Sequence, residues 1–182
     1  MSKRFEGIAK DILYWLFVSG IVAVAATSPH FGINLMKQMG REYEKKKFSN
    51  ALHRLKKSRT IILEEKKDGT CVVELTEKGR KKIEKLQYDD LRIQKPGRWD
   101  GLWRVVIFDI PNKKKIAREA LRDKLKEWNF YQLQESVWVC PWPCEKEIGF
   151  VVELLGIYPF VNIIKAKEIQ NDIKLKTHFK LL

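Results

Sequence analysis

Three stretches in the first part of the chain have apolar positions that predict helices. Between residues 44 and 58, apolar side chains recur at spacings of four and three on an otherwise polar background, which is typical of a helix with one buried stripe. A shorter helix is expected over residues 31–40. A first helix is expected over residues 5–26, and Pro29 should end it.

The first predicted helix contains an almost unbroken apolar run, Ile12–Ala26, that follows several basic residues. A helix that spans a bilayer needs about 20 apolar residues, and this run has 15. No convincing cleavage site of small residues follows the run. We therefore predict a buried helix, apolar on all sides, with membrane contact or a cleaved signal as the alternatives.

A β-hairpin is predicted directly after the helix at 44–58. Its strands are expected over residues 60–65 and 71–75, because both are rich in β-branched and apolar residues. The turn between them contains Asp-Gly at positions 68 and 69, a pair that accepts the positive φ angles of a tight hairpin. Thr76 should then cap a last helix.

The second part of the chain shows a different order of elements. A strand that is apolar on both faces is followed by an amphipathic helix, two strands, a second helix and another strand. This β-α-β-β-α-β order is ferredoxin-like. The tail, residues 175–182, is expected to be a final strand or a segment that docks on a partner. The predicted elements lie at residues 103–110, 113–128, 131–141, 144–156 and 158–167.

Charge and composition divide the chain at the same place. The formal net charge is +13, and residues 1–98 carry +10 of it, with 22 Lys and Arg against 12 Asp and Glu. A one-sided basic field favours a polyanionic partner such as nucleic acid. The stretch around Pro96-Gly97 lacks periodicity and is typical of a linker. We therefore predict domains at residues 1–90 and 101–182, joined by a linker at 91–100.

The predicted helix at 44–58 is the strongest candidate for contact with DNA. Its lysines would bind phosphates, while Asn50, His53 and Arg54 have the hydrogen-bonding groups that read base edges. A basic face that is merely solvated is the alternative. Lysines at the hairpin tip would add further phosphate contacts. The predicted DNA-binding residues are Lys45, Lys46, Lys47, Ser49, Asn50, His53, Arg54, Lys57, Lys66 and Lys67.

Asp109 is the one residue whose position suggests catalysis or metal binding, because it follows an apolar strand and precedes Ile110-Pro111. One carboxylate per chain is a poor metal site, so a second copy across a dimer axis would be needed. The alternative is a structural role in which Asp109 caps the turn that follows. The three cysteines lack metal-ligand spacing and are expected to be reduced, small apolar residues.

Both halves resemble known families. Three helices, a hairpin and the sequence Leu75-Thr-Glu-Lys-Gly-Arg80 are similar to the winged helix-turn-helix of many bacterial regulators. The strand ending at Asp109, the helix after it and the strand with Gln134 and Ser136 resemble the CRISPR-associated Cas2 family and the Cas2-like central domain of PaaX-type repressors. Trp99-Asp-Gly-Leu-Trp103 matches the Trp-Asp-Gly-x-Trp of the PaaX type, so this resemblance implies an α+β chain with a winged helix-turn-helix followed by a ferredoxin-like, Cas2-like domain.

The resemblance implies a cytoplasmic homodimer that binds double-stranded DNA as a PaaX-like transcriptional regulator. The Cas2-like domain would join the two chains, and no cofactor would be required. The alternative is a Cas2-type metal-dependent endoribonuclease or deoxyribonuclease, or a Cas1–Cas2 spacer-integration adaptor with a Cas1-like partner. In that case Asp109 and its symmetry mate would hold Mg²⁺. We expect a non-enzymatic protein, and membrane contact is not expected.

Overall fold

The computed structural model describes residues 3–25 and 31–181 of the chain. They fall into two compact units, Met1–Asp89 and Asp90–Leu182. Each unit has its own sheet and its own set of packed helices, and we describe the two units separately.

The described residues of the first unit form four helices and a three-stranded antiparallel sheet with the strand order β1-β3-β2. The β2–β3 hairpin lies where the sequence predicts it, and its turn contains Gly69 at a φ of +77°. In chain order the elements are α1 (Lys3–Ser19), β1 (Val22–Ala25), α2 (Phe31–Gln38), α3 (Lys45–Lys57), β2 (Ile61–Glu65), β3 (Thr70–Leu75) and α4 (Glu77–Asp90).

The first predicted helix is too long, and this part of the prediction is wrong. The helix ends at Ser19, and Gly20 has a φ of +73°, a conformation that favours glycine and ends helices. The chain then forms β1, in which Val22 pairs with Val73 of β3. Ala26 and Pro29 lie outside the described residues. No helix among the described residues is long and apolar enough to cross a membrane.

The sequence also predicted that the first helix is buried on all sides, and this prediction is wrong for α1. One face, with Ile12, Leu13 and Leu16, is at most 1% exposed and packs into the core of the first unit. The opposite face leaves Tyr14 and Val18 50% and 70% exposed. One face of α1 is thus buried and the opposite face is exposed, although large apolar or aromatic side chains lie on both.

The second unit has a four-stranded antiparallel sheet with the strand order β5-β6-β4-β7, so its first strand is central. Up to β7 the elements follow the predicted β-α-β-β-α-β order. They are β4 (Trp103–Phe108), α5 (Lys115–Glu127), β5 (Tyr131–Gln134), β6 (Val137–Cys140), α6 (Glu145–Leu154), β7 (Val161–Ala166) and α7 (Ile173–Phe179).

The two faces of this sheet are covered differently. Helices α5 and α6 lie on one face, where Arg122 of α5 stacks 5.9 Å over the ring of Phe108 and Glu145 of α6 approaches Arg104. On the other face, α7 packs Leu175 against Trp103 and Val139. The tail from residue 175 is therefore helical at first, and the prediction of a final strand is wrong.

Candidate nucleic-acid interface

Helix α3 separates its apolar and basic residues onto two faces. Phe48, Ala51, Leu52 and Leu55 are buried and join the core formed with α1 and α2. The helix contains six Lys or Arg residues and no acidic residue. All the predicted DNA-contact residues of α3 are exposed except Lys47, which is half-buried and forms an ion pair with Glu44. The structure therefore places these residues together on one outward face.

The tip of the β2–β3 hairpin presents Lys66 and Lys67 to solvent. The tip is held by a backbone hydrogen bond from the N–H of Lys66 to the carbonyl of Thr70 at 2.7 Å. The carboxylate of Asp68 accepts a hydrogen bond from the N–H of Thr70 at 2.9 Å, and this bond lowers the pKa of Asp68. A fixed turn of this kind holds both lysines at the end of the hairpin.

The junction between α3 and β2 is clamped by the start of α4. The hydroxyl of Thr76 donates to the carbonyl of Arg59 at 2.7 Å and accepts from the N–H of Gly79 at 3.0 Å. A Cβ at Gly79 would lie 2.0 Å from the carbonyl oxygen of Thr60, so only glycine fits there. The Leu-Thr-Glu-Lys-Gly-Arg segment thus fixes the end of α3 relative to the hairpin.

Strand β1 is a part of this unit that sequence reasoning missed. It pairs with β3 on the side opposite β2, so the hairpin belongs to a three-stranded sheet. The signal was Gly20 within the apolar run, followed by the β-branched residues Ile21, Val22 and Val24. The broad apolar character of the run concealed this break.

Asp109 lies at the end of β4, where its N–H donates to the carbonyl of Phe160 at 3.0 Å. Its side chain is exposed and makes no hydrogen bond or ion pair with any residue in the described ranges. The proposed capping role is wrong, because the turn at Asn112–Lys114 has no side-chain cap. Arg118 holds this turn instead, donating to the carbonyl of Ile110 at 3.1 Å.

The residues around Asp109 do not assemble a metal site within one chain. Residues 3–25 and 31–181 contain no group of three or more His, Cys, Asp or Glu side chains placed to hold a metal ion. Gln134 lies on β5 and Ser136 in the turn before β6. Asp109 therefore offers one exposed carboxylate per chain.

The Trp-Asp-Gly-Leu-Trp segment forms an ion pair at the start of β4. Both terminal nitrogens of the buried Arg104 guanidinium donate to the carboxylate of Asp100, at 2.7 and 2.6 Å. These hydrogen bonds lower the pKa of Asp100 to about 2. Arg104 also donates to the carbonyl of Pro141 at 3.2 Å, so it connects the start of β4 to the end of β6. The motif therefore has a structural role.

Comparison with known proteins identifies the second unit. Residues 96–177 match the family described as "PaaX protein central Cas2-like domain". No curated protein matches the chain significantly. Among solved structures, the chain is similar to the uncharacterized protein Rv0674 from Mycobacterium tuberculosis, with 18% identity and a TM-score of 0.37. The match covers 95% of this chain and 65% of that protein.

These findings confirm the prediction of a chain of mixed helix and sheet whose second part resembles PaaX proteins. The matched segment contains all the strands and helices from β4 to β7. Residues 96–177 are thus a Cas2-like domain, similar to the central domain of PaaX proteins.

Proposed function

We propose that this chain is a PaaX-like transcriptional regulator that binds double-stranded DNA as a homodimer. The first unit would be a winged helix-turn-helix that contacts the DNA. The Cas2-like domain would hold two chains together.

The observation that carries this proposal is the order of elements in the first unit together with the basic face of α3. The order of elements in winged helix-turn-helix domains is a helix, a short strand, two helices, a hairpin and a closing helix. The first unit has this order, and β1 fits it better than the long helix expected from the sequence does. In that arrangement α3 is the recognition helix and lies in the major groove.

The exposed side chains of α3 divide into two chemical kinds. Lysines such as Lys46 act as point charges for phosphates and supply affinity that depends on salt. Asn50 and Arg54 can each make two hydrogen bonds to one base, Asn to adenine and Arg to guanine. The face therefore combines positioning contacts with base recognition. Lys66 and Lys67 of the wing would add phosphate contacts beside the groove.

The uncovered part of the second sheet supports pairing between two copies of the chain. On the sheet face that α7 covers near Trp103, Val105 pairs with Ile164, and Ile107 lies two residues further along β4 opposite Asn162. Val105 and Ile107 are half-buried, and Ile164 is 48% exposed. A second copy of the same sheet face would cover these apolar side chains symmetrically.

A regulator is favoured over a Cas2-type nuclease. The matched family is that of PaaX proteins, and most of the net positive charge precedes the Cas2-like domain. Asp109 supplies one exposed carboxylate, and the nuclease would need its symmetry mate as a second ligand.

Mobility-shift assays test the proposal. Wild-type protein should retard mixed-sequence duplex DNA at low salt, and the triple variant Lys46→Ala, Asn50→Ala, Arg54→Ala should bind at least tenfold more weakly, because it loses two charges and an amide. A matched control, Lys167→Ala with Lys174→Ala, removes two exposed charges from the second unit and should bind as wild type does. Equal binding by the triple variant would refute the assignment of α3.

A further inference from the structure

Helix α3 ends in a residue that is unusual for its backbone conformation. The N–H of Thr60 donates to the carbonyl of Leu55 at 3.0 Å, and the N–H of Arg59 donates to that of Lys56 at 2.9 Å. This pair of bonds is a Schellman motif, whose left-handed position is usually glycine or asparagine. Arg59 occupies that position with a φ of 55°.

Other helices show the usual choice. The corresponding positions after α5 and α6 are Asn129, with a φ of 61°, and Gly156, with a φ of 64°. An arginine at this position is sterically disfavoured, and glycine would suit the backbone better. Helix α7 provides the one comparable case among the described residues, since Lys180 has a φ of 55°.

The side chain of Arg59 has no visible structural role in the fold. It is exposed, and its guanidinium makes no hydrogen bond or ion pair with any residue in the described part of the chain. A cationic residue near the end of a helix gains a modest favourable interaction with the helix dipole. Lys180 would gain the same benefit, so the two residues form a natural pair for comparison.

Helix α4 brings further cations to this end of α3. The ammonium of Lys78 donates to the carbonyl of Ser58 at 2.9 Å, next to Arg59 in the chain. Lys82 and Lys85 follow at spacings of four and three on the same face of α4, and both are exposed. Basic groups from α4 thus lie beside the end of α3.

We propose that Arg59, Lys78 and Lys82 form a second phosphate-binding surface that extends the DNA contact of α3 onto α4. This inference rests on the proposed function, because it takes α3 as the helix that contacts DNA. Arg59 offers a guanidinium suited to two parallel hydrogen bonds with a phosphate, and the ammonium groups add charge beside it. These contacts increase affinity for any duplex and do not select a sequence.

The variant Arg59→Gly separates DNA binding from folding. Glycine suits the left-handed backbone, so the melting temperature should be unchanged or higher. Loss of one phosphate contact should lower the slope of log affinity against log salt by about 0.9, equivalent to roughly eightfold weaker binding at 0.1 M salt. Adding Lys82→Gln should lower the slope by about as much again.

The matched control is Lys180→Gly, which removes one positive charge from the same backbone conformation in the second unit. Its salt slope should equal that of the wild-type protein. The measurement is fluorescence anisotropy on a mixed-sequence duplex of about 30 base pairs, titrated between about 50 and 200 mM salt, the range over which phosphate contacts dominate.

The outcomes distinguish this inference from the proposed function. If the α3 triple variant loses binding while Arg59→Gly keeps the wild-type slope, the second surface alone is refuted. If Lys180→Gly lowers the slope as much as Arg59→Gly does, the effect is one of net charge and the second surface is also refuted. If wild-type protein does not bind the duplex at the lowest salt, both proposals fail.

Discussion

At the scale of single residues, Asp100 and Arg104 show how the Trp-Asp-Gly-Leu-Trp motif contributes to the stability of the second unit. The Arg104 side chain is 4% exposed, and a guanidinium buried to this degree needs a partner. Asp100 supplies that partner from the turn before β4, and Gly101, with a φ of +79°, allows this turn. The sequence drew attention to this segment through its resemblance to PaaX proteins. The ion pair could not be predicted, because it depends on the side chain of residue 104 turning into the core.

Asp100→Asn should destabilise the protein by about 1–2 kcal/mol at neutral pH, a range reduced for the 41% exposure of the Asp100 side chain. The folded protein lowers the pKa of Asp100 from near 3.8 to about 2. Its stabilisation is therefore present above pH 4 and is lost as the pH falls from about 4 to 2. Urea unfolding from pH 7 to pH 3 should show the wild-type advantage shrinking below pH 4.

The control for this prediction is Asp123→Asn, an exposed carboxylate whose ion pair with Lys126 is long, at 3.8 Å. Its urea midpoint should stay close to that of the wild type at every pH. A difference between wild type and Asp100→Asn that did not change between pH 5 and pH 3 would contradict the account of this pair.

At the scale of elements, the sequence predicted the bounds of segments with periodic apolar positions well and those of the uniformly apolar segment poorly. The amphipathic α3 and the hairpin after it lie within a residue or two of their predicted bounds. The run from Ile12 to Ala26 contains no polar period, so the end of α1 and the start of β1 could be located only from Gly20. Helix α7 was missed because its short sequence does not show that Leu175 is buried against Trp103, a residue about 70 positions earlier in the chain.

The partly exposed face of the second sheet, with Ile164 at 48% exposure, gives an element-scale prediction. Ile164→Glu should convert a dimer into a monomer, because it places a charge among Val105 and Ile107, whose sheet face would be buried between two copies. Sedimentation velocity at several protein concentrations measures this directly. The matched control is Ile116→Glu, since Ile116 is 89% exposed on α5 and away from the sheet face.

A dimer of Ile164→Glu with wild-type stability would show that this face is not the interface. Loss of the dimer in Ile116→Glu alone would move the interface to α5. Either result would leave the assignment of α3 untouched, because α3 belongs to the other unit.

At the scale of the whole molecule, the positive charge is concentrated in the first part of the chain. Residues 1–98 carry +10 of the net charge of +13, and α3, with six basic residues and no acidic one, is the largest single source, whereas the rest of the chain carries +3. The sequence predicted this asymmetry and the resemblance of the second unit to PaaX proteins. It could not indicate how the end of α3 is clamped by Thr76 and Gly79, since those contacts join residues about 20 positions apart.

The measurement that tests the central claim most directly is selection of binding sites from a pool of randomised DNA duplexes. A homodimer with one recognition helix per chain should enrich an inverted repeat whose half-sites are centred about 10 base pairs apart, or a multiple of that spacing. The α3 triple variant should enrich nothing. Failure of the wild-type protein to enrich any sequence over the starting pool would contradict the claim that this chain is a sequence-reading dimer.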